Sequence, residues 1–177
     1  MNIAGRKLSN GDLAVGAGLI VALIAIFLPW YSASYNVSGI AGIPGYSGSV
    51  STGGFSYWTG WFFFLATLVG LALFALRTFV PTVAIPALPL NDAMAYVSIG
   101  AFMVVMAVLW LLLGSGAASV SGPGYSAGAS FGLFIGIIAA AAVVVGGFLK
   151  RSDPQPATKP LSAYQTPSAP PPPPPSA

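Results

Sequence analysis

Four long apolar runs alternate with short polar segments along the chain. Each run is close to the ~20 residues that a helix needs to cross a hydrocarbon core about 30 Å thick. The runs are apolar on all sides, whereas a surface helix of a soluble protein would have one polar face. The pattern predicts four transmembrane helices, over residues 13–31, 57–80, 93–113 and 131–149.

The remaining segments connect these four predicted spans. Ser9, Asn10 and Asp12 are candidate N-cap residues for the first helix, and Asn91 with Asp92 for the third. We predict an all-α fold, an integral membrane four-helix bundle with a disordered, Pro-rich C-terminal tail that includes Pro170 to Pro175. The connecting segments are an N-terminus over 1–12, an outer loop over 32–56, an inner loop over 81–92, a second outer loop over 114–130 and the tail over 150–177.

The composition agrees with a membrane protein. Hydrophobic residues make up 56% of the chain and charged residues only 5%, against about 25% charged in ordinary soluble domains. The predicted outer loops contain no charge, and all six Lys and Arg lie in or beside the other connecting segments. By the positive-inside rule, both termini are cytoplasmic and the uncharged loops face outward from the plasma membrane. A cleaved signal peptide is an alternative for the N-terminus, because Arg6 and Lys7 precede an apolar run that ends near Ser32-Ala33-Ser34.

Aromatic and basic residues lie near the predicted ends of the spans. Trp and Tyr rings suit headgroup depth, and a long basic side chain near a helix end can reach the headgroups. Ligand stacking is the alternative role for three of these residues, Trp30, Trp58 and Trp61. The predicted interface anchors are Trp30, Tyr31, Trp58, Trp61, Trp110, Arg77, Lys150 and Arg151.

Small residues recur at a spacing of four in two segments. Such stripes let another helix backbone approach closely, either within one bundle or in a contact with a second membrane protein or copy. The candidates for helix packing or a partner interface are Ala14, Gly18 and Ala22 in the first span, and Gly128, Gly132, Gly136 and Ala140 at the fourth.

The residue types needed for most catalytic sites are missing. The sequence has no His, no Cys and no Glu, which excludes a standard zinc site and the Ser-His-Asp and Cys-His arrangements. None of the three Asp falls in a predicted hydrocarbon core. We therefore expect no enzyme activity, no catalytic residue, no metal and no cofactor. The scattered basic residues do not predict nucleic-acid binding either.

The tetrapeptide Pro-Gly-Tyr-Ser occurs twice, at 44–47 and at 123–126. Pro followed by Gly favours a type II turn, after which Tyr46 and Tyr125 can fold back onto the outer interface. Both copies lie in the middle of a predicted outer loop. They are compatible with a duplicated helical hairpin and equally with convergence of Gly- and Ser-rich sequence.

Two motifs, "FLPWYS" at 27–32 and "FSYWTGWFFF" at 55–64, together with the Ala/Pro-rich tail, resemble small tetraspan membrane proteins of actinobacterial type. The resemblance implies a location in the cell envelope and no particular activity. We expect a non-enzymatic accessory or interaction subunit of a membrane or envelope complex. Its partners would be the lipid bilayer and other membrane proteins or a second copy. A small channel or solute transporter formed by oligomerisation is the alternative.

Overall fold

The computed structural model describes residues 2–3, 6–39, 44–79, 91–114 and 119–152. The part of the chain that it describes is mostly helical. Three of its helices are long and apolar enough to cross a membrane, and the first helix of the chain is a shorter apolar helix of 16 residues. The predicted inner loop and tail lie almost wholly outside the described residues. The four helices are α1 (Asn10–Ala25), α2 (Trp58–Phe79), α3 (Asp92–Leu113) and α4 (Phe131–Ser152).

The prediction of an all-α fold is confirmed only in part: the described residues are mostly helical, but the two predicted outer loops form one antiparallel sheet. Its four strands, in spatial order, are β4 (Tyr46–Gly53), β3 (Pro29–Val37), β6 (Tyr125–Ala129) and β5 (Val120–Gly122). The loop sequences alternate Ser with Tyr, Ala or Val, which is the period of two that a strand requires. A separate short hairpin joins β1 to β2. The strands are β1 (Asn2–Ile3), β2 (Arg6–Lys7), β3 (Pro29–Val37), β4 (Tyr46–Gly53), β5 (Val120–Gly122) and β6 (Tyr125–Ala129).

The first helix ends earlier than the predicted span over 13–31. It stops at Ala25, a turn follows, and Pro29 opens β3. Proline lacks an N–H and disfavours helical backbone in the residue before it, so the apolar run cannot continue as a helix. At the other end, Ser9 is the N-cap: its hydroxyl accepts from the Asp12 N–H, while the Asp12 carboxylate accepts from the Ser9 N–H.

The helices pack closely because glycines lie at their contacts. A side chain added at Gly18 would meet the carbonyl oxygen of Ala139 at 2.9 Å, and one at Gly146 would meet the Val15 nitrogen at 2.7 Å. These positions bring α1 against α4. On the other side of α4, a side chain added at Gly100 of α3 would meet the Val144 nitrogen at 2.8 Å. Helix α4 therefore lies between α1 and α3.

Trp30 joins the sheet to the helices. Its indole Nε1 donates a hydrogen bond of 2.8 Å to the Ala25 carbonyl, and its ring packs edge-on at 5.4 Å against both Phe63 and Trp110. The backbone carbonyl of Trp30 is also hydrogen-bonded, since it accepts from the Ser130 N–H at 2.9 Å. Non-helical backbone can lie deep in such a bundle when its polar groups are paired within the protein.

Candidate functional site

The four-stranded sheet has two chemically different faces. The pairing register places Ser32 opposite Ser51 and Gly128, and Ser34 opposite Ser49 and Ser126. Residues directly opposite each other project from the same side of a sheet. We call this side the serine face; its polar members, all exposed, are Ser32, Ser34, Asn36, Ser47, Ser49, Ser51, Ser121 and Ser126.

The opposite side, which we call the tyrosine face, carries apolar and aromatic residues. The ring centres of Tyr35 and Tyr46 lie 5.6 Å apart. The neighbouring Tyr46 side chain, together with partial desolvation, raises the pKa of Tyr35 above its ordinary value. The tyrosine face consists of Tyr31, Ala33, Tyr35, Val37, Tyr46, Val50, Thr52, Val120, Tyr125, Ala127 and Ala129.

The two Pro-Gly-Tyr-Ser copies occupy different places in this sheet. The second forms the turn between β5 and β6: Gly124 has φ 77, and its carbonyl accepts from the Asn36 N–H at 2.6 Å. The first leads into the edge strand β4, and Gly45 does not share the positive φ of Gly124. Strands β3 and β6 occupy the centre, whereas a two-fold duplicated hairpin would place equivalent strands there. The pairing does not follow the symmetry of a duplication.

Open concavities lie on the serine face. One has a volume of about 570 Å³; besides serine-face residues such as Asn36 and Ser47, its lining includes Tyr35 and Tyr125 at the intervening strand positions. A neighbouring one has a volume of about 200 Å³. They share Ser34, Ser49 and Ser126, so they form one trough. Its centre is fixed by a hydrogen bond of 2.8 Å between the Ser34 and Ser126 hydroxyls.

The predicted aromatic anchors divide into two groups. Trp58 and Trp61 are 48% and 53% exposed at the start of α2, where they can contact lipid. Tyr31 is partly buried on the tyrosine face. The anchor prediction was wrong for Trp30 and Trp110, which are 0% and 1% exposed and pack against each other in the core. Ligand stacking on Trp30 is excluded by the same burial, since no face of its ring is free.

The predicted small-residue stripes lie mostly where helices of the same chain meet. Gly18 and Ala22 are buried in α1 and Ala14 is partly buried, while Gly132, Gly136 and Ala140 are buried in α4. Gly132 faces Leu28 and Pro29, not another helix. The assignment of Gly128 to the helix-four stripe was wrong, because this residue lies in β6, before the helix begins.

Charged residues pair between helices at the end of the bundle away from the sheet. Arg77 Nη2 of α2 lies 2.7 Å from Asp92 Oδ1 of α3, and Lys150 Nζ of α4 lies 2.6 Å from Asp12 Oδ1 of α1. Lys150 Nζ also lies 5.1 Å from the centre of the Tyr96 ring. These contacts cross-link all four helices at one end. Arg151 follows on α4 and is exposed.

Sequence reasoning missed both the serine face and the Asp12–Lys150 pair. The face had a detectable signal, because "SASYN" at 32–36 and "SGSVS" at 47–51 alternate with a period of two. The ion pair had none, since its partners are 138 positions apart. Among the described residues, no group of three or more acidic, His or Cys side chains is placed to hold a metal.

Comparison with known proteins provides no relative from which a role could be transferred. No protein-family model matches the chain, and no curated protein matches it. The fold and the chemistry of its surfaces are therefore the basis for any functional assignment.

Proposed function

We propose that this protein is a non-enzymatic, multi-pass protein of the plasma membrane that presents the outer sheet as its interaction surface. Its role is that of an accessory or interaction subunit in a membrane or envelope complex. The helices hold the sheet at the membrane surface, and the sheet contacts other molecules. The resemblance to small tetraspan proteins of actinobacterial type agrees with this role.

The observation that carries the proposal is the exposed, uncharged sheet, whose edge strands β4 and β5 each pair with a single strand among the described residues. Residues 13–76 and 93–149 contain no Asp, Glu, Lys or Arg. Edge strands of soluble proteins are commonly protected from pairing by charges or Pro, and β4 and β5 contain neither. Val50 and Val120, one on each edge strand, are 60% and 52% exposed. Such edges and apolar side chains suit contact with another protein in the crowded layer above a membrane.

The arrangement of charge supports the proposed orientation. Arg77, Lys150 and Arg151 lie at the end of the bundle opposite the uncharged sheet. The positive-inside rule favours a cytoplasmic position for that end, and we propose the same side for both termini. The apolar side chains exposed around α2, α3 and α4 face lipid, as the length of these helices allows.

The orientation can be tested with single cysteines, because the natural sequence contains none. In intact cells, a membrane-impermeant maleimide should label Ser49→Cys on the serine face. It should label Arg151→Cys only after the membrane is permeabilised. Labelling of Arg151→Cys from outside, with protection of Ser49→Cys, would reverse the proposed orientation.

The interaction role can be tested by site-specific crosslinking in native membranes. A photo-crosslinking residue at Val50 or Val120 should capture a discrete protein partner. The same residue at Val105, which is 51% exposed in the middle of α3, is the matched control and should capture lipid only. Failure to capture protein at both edge positions, or equal capture at Val105, would contradict the proposal.

A further inference from the structure

We infer that the serine face is a binding site for a neutral, hydroxyl-rich polymer, namely an uncharged oligosaccharide. This inference rests on the proposed function in one respect, since it takes the sheet to be exposed on the outer side of the membrane. It adds a ligand class to the interaction surface. The tyrosine face and the strand edges remain available for protein contacts.

The first argument is the density of free hydrogen-bonding groups on the serine face. Ser34 and Ser126 bond each other. Within the described residues, the other polar members of the face make no side-chain hydrogen bond, although each can donate and accept. The face therefore offers hydroxyl and amide groups that a ligand can bind without breaking internal contacts.

The second argument is the size of this array. Strands lie about 4.8 Å apart and rise about 3.4 Å per residue. From Ser47 to Ser51 the array therefore extends ~14 Å along β4, and the four strands span ~14 Å across the sheet. The trough along this array consists of the two neighbouring concavities, with volumes of about 570 and 200 Å³. A single sugar would occupy only part of this surface, so we expect binding to increase with chain length.

The third argument is the absence of charge, which selects the ligand class. A charged group placed on this face would lose hydration without gaining an ion pair, since residues 13–76 and 93–149 contain no charge. An apolar ligand would find hydroxyl groups where it needs apolar surface. A peptide would gain most from pairing with the edge of β4 or β5, which lies beside the face and not on it. A neutral carbohydrate can both donate and accept at every position.

Glycines keep the trough open. Gly128 belongs to the serine face in β6, and a side chain added there would lie 3.4 Å from the Ser119 Cβ. Gly122 of β5 also lines the trough through its backbone, although its register opposite Tyr125 directs any added side chain to the tyrosine face. The small side chains thus leave backbone carbonyl and amide groups within reach of a bound chain.

The test uses the purified full-length protein in detergent micelles. The probes are maltohexaose, cellohexaose and a mannohexaose, with a sulfated heparin hexasaccharide as the anionic comparison and an extended uncharged heptapeptide as the peptide comparison. We expect at least one neutral hexasaccharide to bind, and to bind more tightly than its own disaccharide. Titration calorimetry or saturation-transfer NMR would measure this.

Variants identify the surface that is responsible. Ser34→Val with Ser126→Val removes the central hydroxyl pair and should weaken binding about tenfold or more. Thr52→Val, which removes a hydroxyl from the tyrosine face of β4, is the matched control and should leave binding unchanged. Ser49→Val is a second, single substitution in the trough for the case in which the double variant does not give a monodisperse protein.

Several outcomes would overturn the inference. The first is that no neutral hexasaccharide binds, and the second is that the serine-face variants bind as tightly as the natural protein. The others are that the anionic probe or the peptide binds more tightly than every neutral hexasaccharide. The crosslinking at Val50 and Val120 does not depend on these measurements. Failure of the carbohydrate site and failure of the subunit role can therefore be told apart.

Discussion

Glycine has different roles in the bundle and in the four-stranded sheet. In the bundle, Gly18 and Gly146 lie where α1 and α4 touch, and an added side chain would meet backbone atoms. In the sheet, Gly122 has open space around it, and Gly48 lies under the ring of Tyr35. The helices are thus held by contacts that tolerate little change, whereas most positions on the sheet face outward. We expect stability to reside in the bundle and binding in the sheet.

Loss of Trp30 should have the largest effect, because this residue belongs to both regions. Trp30→Ala removes a fully buried ring, its hydrogen bond to Ala25 and its contacts with Phe63 and Trp110. We expect a loss of about 3–5 kcal/mol in the free energy of unfolding, as for other buried Trp. Thermal unfolding in detergent would measure this. Trp58→Ala, at an exposed ring, is the control, and an equal loss there would refute the placement of Trp30 in the core.

The contact between α1 and α4 should be the next most sensitive feature. Gly146→Ala places a Cβ 2.7 Å from the Val15 nitrogen, so the two helices must move apart. We expect a loss of about 1–3 kcal/mol from this overpacking. Gly128→Ala is the matched control in the sheet, where the nearest atom lies 3.4 Å away. A similar loss of stability in both variants would contradict the division between a tight bundle and an open sheet.

Sequence patterns predicted the bundle better than the sheet, for a physical reason. A helix that crosses lipid needs a long apolar run, and that signal is strong enough to identify all four helices. The outer strands are short, and their Gly and Ser residues are also typical of loops. Only the alternation at 32–36 and 47–51 could have distinguished them from loops, and the prediction of two outer loops did not use it. The burial of Trp30 depends on β3 returning into the end of the bundle, and no local pattern predicts that contact.

The turn between β5 and β6 should show a smaller and more local effect. Gly124 has φ 77, a conformation that costs other residues about 1–2 kcal/mol, and a side chain there would meet the Asn36 carbonyl. Gly124→Ala should therefore weaken this hairpin, seen as faster amide hydrogen exchange in β6, while α1 to α4 stay protected. Gly122→Ala, in open space on the neighbouring strand, is the control, and its amide hydrogen exchange in β6 should match that of the natural protein. Faster exchange throughout the helices of Gly124→Ala would show that sheet and bundle unfold together.

The ion pair between Arg77 and Asp92 should have the smallest effect. Both side chains are about one-third exposed, at 35% and 34%, and ion pairs exposed to water contribute about 0.2–1 kcal/mol. A double-mutant cycle with Arg77→Met and Asp92→Asn separates the energy of the pair from other changes at each position. We expect a coupling within that range, and a smaller one at high salt because ions screen exposed charges. A coupling of about 3 kcal/mol or more, in the range of buried pairs, would show that the bundle depends on charge at the end away from the sheet as much as on glycine contacts along its length.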